Sequence, residues 1–215
     1  MAMKRGICKL CLEEKDLCES HIFPKSIIKP IKAGQHGDGT FYKYSKAKNI
    51  KVSREQKGEW EYLFCLKCDN VRLSQNEDYL AEVLIQKKKK WRDENGIKIL
   101  EGFDYKKIKN ALLSILWRCS IAKRDDFKEI NLGLRHNERI RTILLGQEEI
   151  ESTEYPTLVW LVDDDEHAVF ADCIIVPKCR RYGAFRAYNF LIPGHFVTIL
   201  VGSKDARIDD ITQKV

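Results

Sequence analysis

The chain has no apolar run near the roughly 18 residues that a membrane-spanning helix needs. Its start, MAMKRGICKLC, also lacks the apolar stretch that marks a secretory leader. The expectation is a cytoplasmic protein with no membrane partner. Apolar residues are not scarce, and charge is not of one sign only. Hydrophobic residues make up 44% and charged residues 33%, which excludes a disordered or fibrous class. At 215 residues the chain is long enough for a full core, as one domain or two small ones.

In a reducing compartment, the eight cysteines would remain thiols or bind metal. Four of them form two Cys-x-x-Cys pairs, C-K-L-C at Cys8 and Cys11 and C-L-K-C at Cys65 and Cys68. Each pair places two thiolates on one tight turn, so two distant pairs can close a tetrahedral site around a structural Zn²⁺. The 53 residues between Cys11 and Cys65 exceed the span of a simple zinc ribbon and imply a folded insert. The second pair precedes a helical pattern, as in a treble clef, where a helix N-terminus carries the last ligands. The competing reading is a set of reduced structural or redox cysteines. Cys18 and His21 form C-x-x-H and offer alternative ligands or a second site. Cys119 and Cys173 fit small core residues, and Cys179 has no assigned role.

The net charge of +6 is unevenly spread: residues 1–100 carry 21 Lys and Arg against 14 Asp and Glu, and residues 101–215 carry 17 against 18. A basic N-terminal part suits a phosphate-rich partner, although a plain soluble surface has the same composition. Short apolar groups from Gly6 to Leu73 predict hairpins and loops. Ser74 and Glu77 form S-x-x-E, the pattern of a capping box, ahead of a helix running to about Lys90. The glycine-containing stretch Arg92 to Gly102 then divides residues 1–92 from an α+β domain of unknown role at 103–215. In that second part, Ile108, Leu112, Ile115, Leu116 and Cys119 predict a helix from Asp104 to about Lys123, and Ile140, Ile143 and Leu144 predict another from Asn137 to Leu145, stopped by Gly146. The segments TLVWLV, HAVFADCIIV, YGAFRAYNFLI and HFVTILVG predict an antiparallel meander with a tight Pro193-Gly194 turn. The fold class expected is α+β: a zinc module, then two helices packed on a small antiparallel sheet.

Cys-x-x-Cys, then S-H-I-F-P at Ser20 to Pro24, then Leu63 to Cys68 entering a helix: this order resembles the zinc-containing His-Asn-His (HNH) endonucleases over roughly residues 6 to 85. LLSILWRCS and INLGLRHNERIRTILL resemble a segment of bacterial proteins with such a start. The resemblance implies a ββα-metal motif stitched onto a treble clef, cleavage of phosphodiester bonds in nucleic acid with DNA favoured, and a setting such as defence against phage. It implies His21 as the base that activates water, beside a catalytic Mg²⁺ or Mn²⁺. Two positions depart from the family pattern. Ser20 stands where an Asp is common, and Asp69 follows Cys68 where a His is common. A carboxylate suits a hard cation, so Asp69 is the candidate ligand, with a helix-dipole or capping role as the alternative. Asn49 is the one Asn between His21 and Cys65. His36, His136, His167 and His195 are read as structural or solvated, the acidic run 163–166 as a turn, Lys87 to Lys90 with Trp91 and Arg92 as a solvated face or phosphate grip, and Trp117 with Arg118 as core and rim. The alternative function is a catalytically silent zinc module that recognises nucleic acid or a protein.

Overall fold

A computed structural model of the chain describes residues 4–35, 40–45, 51–86, 91–95, 97–151, 153–162 and 173–202. The fold is α+β, with four α-helices and small antiparallel sheets among the described residues. No helix there is long and apolar enough to cross a membrane.

The first sheet has the order β1-β2-β5, from β1 (Lys4–Ile7), β2 (Glu14–His21) and β5 (Trp60–Cys65). Between β2 and β5 the chain forms α1 (Lys25–Gln35) and a separate hairpin of β3 (Phe41–Ser45) and β4 (Lys51–Glu55). The helix α1 corrects the expectation of hairpins and loops throughout this region. Ile27, Ile28 and Ile31 turn one face of it into the core. The internal Pro30 and the following Gly34 obscure that period in the sequence.

A continuous helical run follows β5. Wide π-type turns at Cys68–Leu73 and Ala81–Ile85 flank α2 (Ser74–Leu80). This overturns the capping box. Leu73, before Ser74, is already helical, and the Ser74 hydroxyl donates back to the Asn70 carbonyl at 2.5 Å. The run ends at Ile85. The stretch expected as a divider contains a hairpin of β6 (Trp91–Glu94) and β7 (Ile97–Leu100).

Asp104 caps α3 (Tyr105–Ile121), its carboxylate accepting from the Lys107 amide at 3.2 Å. The predicted apolar stripe is only part of what α3 buries. From Ala111 to Cys119 every residue is buried, Leu113 and Trp117 included, as in a helix surrounded by its own protein. Each large apolar side chain there contributes about 1.5–3 kcal/mol of burial. The next helix, α4 (Gly133–Leu145), stops at Gly146, whose φ of 74° is the left-handed conformation glycine adopts freely.

The last sheet runs β8 (Thr157–Leu161), β11 (His195–Gly202), β10 (Phe185–Ile192), β9 (Ile175–Tyr182), in that spatial order. It is not the simple meander expected, because β8 lies beside β11 rather than β9. Pro193-Gly194 is the two-residue turn anticipated between β10 and β11. The Pro177 to Arg181 segment lies within β9, and Cys173 precedes that strand. One hydrophobic cluster includes Cys8 and Phe64 of the N-terminal sheet, Leu112 and Trp117 of α3, and Phe190 and Val197 of the last sheet. The Phe64 and Trp117 rings stack with centroids 5.6 Å apart.

Candidate metal centre and the His21 groove

Cys8 and Cys11 occupy the turn joining β1 to β2, Cys65 ends β5, and Cys68 opens the helical run. Their four sulfurs lie within 4.8 Å of one another. Thiolates bound tetrahedrally at about 2.3 Å from Zn²⁺ are about 3.8 Å apart, so a small closure seats the ion. Among the described residues, this is the one group of three or more Cys, His, Asp or Glu side chains able to hold a metal. Its electrostatics also fit a cation. Burial, reinforced by hydrogen bonding and charge from neighbouring sulfurs, pushes the Cys68 thiol well above its usual value. At Cys8, burial acts in the same upward direction, but amide hydrogen bonds, from Cys11 first, outweigh it and lower the value. Four thiolates cannot share this volume without a positive ion. A zinc ion held by Cys8, Cys11, Cys65 and Cys68 would act as a scaffold, with no open position for water. From α4, Arg141 donates to the Leu10 carbonyl at 2.7 Å and pairs with Glu138, so the first knuckle is held from the far half of the chain.

Cys18 and His21 are not among the four side chains of this cluster. Burial and the nearby Asp69 charge raise the Cys18 thiol to about 11, and it donates to the Phe64 carbonyl at 3.3 Å. Ser20 is buried in the sheet. Its hydroxyl accepts from the Phe64 amide at 3.2 Å and donates to the Cys18 carbonyl at 3.3 Å.

His21 ends β2 at the edge of an open groove of about 610 Å³. Lys25, Lys29, Lys32 and Lys57 line this groove against Glu19 and Asp78. Burial, then the charge of Lys25, lowers the affinity of His21 for a proton, so the ring is neutral near pH 7. Directly across the sheet, Trp60 is its register partner. Lys57 Nζ lies 5.6 Å from the Trp60 ring centroid and 3.3 Å from Glu19.

Beneath the groove is a buried charge cluster that sequence reading missed. Arg118 is only 2% exposed. Its guanidinium lies 2.5 Å from Glu77 and 3.8 Å from Asp69, donates to the His21 carbonyl at 2.9 Å, and has its centre 5.5 Å from the Phe64 ring centroid. Arg118 is therefore not at a rim, and Glu77 caps nothing; it is buried and paired. Burial raises the Glu77 carboxyl, with Arg118 opposing. Asp69 thus stands between Arg118 and the Cys18 sulfur, the latter 3.7 Å from its Oδ2. The signal available in sequence was an arginine amid the apolar residues of a helix, which needs a carboxylate when buried.

His136 and His195 are structural. His136 Nδ1 is 3.0 Å from the Tyr155 hydroxyl, and His195 is buried with Nδ1 2.8 Å from the Pro193 carbonyl oxygen. Cys119 is fully buried, and Cys179 is exposed on β9. His36, Asn49, Lys87 to Lys90, the acidic run 163–166 and His167 lie outside the described residues. No family model matches the chain, and no curated protein or solved structure matches it either.

Proposed function

We propose that this chain is a zinc-scaffolded, HNH-like endonuclease that binds nucleic acid, DNA in particular, in the lysine-lined groove and cleaves a phosphodiester bond there with His21 as general base. The observation that carries the reading is the position of His21 at the edge of a groove where four lysines meet two carboxylates. The lysines attract and orient phosphate. The imidazole accepts a proton from water as it attacks phosphorus. The Cys-bearing hairpin, β5 and the helix entered at Cys68 are in the order of a treble clef, which supports that fold for the module. Likewise β2, β5 and the helical run follow the order of a ββα-metal motif, with α1 and the β3–β4 hairpin inserted between its strands.

Mg²⁺ or Mn²⁺ is the catalytic cofactor this reading calls for, and Asp69 is its candidate ligand. The fit is incomplete, because Arg118 engages both Asp69 and Glu77. An ion there would draw most of its coordination from water and phosphate oxygens. That engagement favours a second reading, in which the module recognises nucleic acid or a protein without cutting. Incubating the purified chain with plasmid and linear DNA plus Mg²⁺ or Mn²⁺ separates the two. The endonuclease reading expects nicked and linear products, whereas intact DNA bound in a salt-sensitive way leaves the silent module.

A further inference from the structure

The cross-strand partner of His21 is an aromatic residue, and its placement identifies which form of nucleic acid the groove takes. A register shift between Cys18 and Glu19 leaves Glu19 opposite Tyr62 and His21 opposite Trp60. Directly opposed residues of an antiparallel pair lie on one face, with Cβ atoms about 4.5–5.5 Å apart. Trp60 is partly exposed, and its ring and that of Tyr62 are perpendicular, with centroids 5.4 Å apart and planes at 86°. Such a contact holds the indole plane in place. Over that ring lies the Lys57 ammonium, which marks an electron-rich surface suited to a cation or to another aromatic ring. Gln56 and Lys57 line both the His21 groove and an adjoining basin that includes Arg54, Trp60 and Arg124. The two basins meet at Gln56 and Lys57, so the lysines beside His21 and the Trp60 ring border adjoining spaces, with Glu19, Asp78, Glu55 and Glu59 among the lining residues.

Resting on the reading that this groove binds a phosphodiester, we propose that Trp60 is a nucleobase-stacking platform and that the groove takes unpaired nucleic acid in preference to intact duplex. Phosphate beside His21 and a base on Trp60 belong to neighbouring positions of one strand. In a duplex, the bases are stacked on each other inside the helix, so a duplex offers the lysines its backbone but gives Trp60 nothing to stack on. A single strand, an overhang or a splayed nucleotide offers both. Lys57, on a flexible stem, leaves the indole face for the phosphate as the base arrives.

Binding of the full chain to a labelled mixed-sequence single strand and to its blunt duplex, without added Mg²⁺ or Mn²⁺, tests this at matched salt. Wild type is expected to favour the single strand. Trp60→Leu should weaken single-strand binding by about ten-fold, as expected for the removal of one stack, and leave the duplex unchanged. Trp60→Phe should keep most of the preference. Single strand should also quench tryptophan emission in wild type but not in Trp60→Phe, a readout that holds if the leucine variant folds poorly. Equal affinity for both forms with no effect of Trp60→Leu, or no quenching that depends on Trp60, overturns the stacking platform and leaves phosphate binding standing. Failure of both nucleic acids to bind at low salt overturns the groove reading itself, and the platform with it.

Discussion

Arg118 donates to the carbonyl oxygen of His21 at 2.9 Å, joining the helix at the centre of the fold to the strand end that carries the candidate base. The same guanidinium holds Glu77 and reaches Asp69. Arg118 therefore positions β2 and compensates the buried Glu77 carboxylate and the half-buried Asp69.

Removal of this cation leaves Glu77 buried without its partner. Arg118→Ala should cost about 3–5 kcal/mol, the range for breaking a buried pair from one side. Arg118→Met with Glu77→Leu should recover much of that loss, because two apolar groups need no counter-charge. Urea denaturation of the three proteins measures both effects. A loss within about 0.5 kcal/mol for Arg118→Ala, the size of an ordinary surface change, would show that the pair is not holding these elements together.

How much of this was legible in the sequence depends on the range of the signal. The four cysteines, the start of α3 at Asp104, the Gly146 stop of α4 and the Pro193-Gly194 turn are local patterns and could be read directly, whereas α4 begins at Gly133 rather than Asn137 and has no side-chain cap to mark it. The Arg118 cluster could not, since it joins residues from β2, the helical run after β5 and α3, and nothing in local spacing says which carboxylate a buried arginine will meet. Glu77 is easily misread for a related reason: S-x-x-E fits a cap when the helix starts at Ser74, but the helix has already begun at Cys68. Trp60 faces His21 only after the shift between Cys18 and Glu19 sets the register, and a one-residue slip sends a side chain to the opposite face.

About one zinc per chain is expected by elemental analysis, from the sulfur cluster of Cys8, Cys11, Cys65 and Cys68. Cys68→Ser should lose the metal and unfold the N-terminal sheet, and a strong chelator should do the same to wild type. Metal-free protein with unchanged thermal stability in Cys68→Ser would reject the site.

Binding of nucleic acid should weaken steeply with salt, because each phosphate neutralised by a lysine releases counterions. Lys25→Glu and Lys29→Glu should each lower the slope of log affinity against log salt by roughly 0.7–0.9 for every phosphate no longer neutralised. A titration across salt concentrations checks this. An unchanged slope in both variants would place the bound phosphates away from the His21 groove.

The pH dependence of His21 has a defined sign. Burial and Lys25 favour the neutral ring, so at this residue the folded chain binds fewer protons than the unfolded chain, whose value is near 6.5. Stability from His21 is therefore fully present above about 6.5 and lost as pH falls towards the lower folded value. Relative to wild type, His21→Gln should gain stability as the solution is acidified through that range. Denaturation of both proteins at several pH values measures the difference. A constant difference would mean that the ring titrates normally.

The most direct measurement pairs DNA cleavage with zinc content in wild type and His21→Ala. Wild type is expected to nick plasmid with Mg²⁺ or Mn²⁺, and His21→Ala to lose cleavage while keeping its zinc and its fold, since a proton acceptor has been removed and the four cysteines are untouched. Added Mn²⁺ should partly restore Asp69→Ala but not His21→Ala, because metal cannot replace the base. Cleavage by His21→Ala at the wild-type rate would show that His21 is not the base, and loss of zinc from that variant would make it a structural ligand.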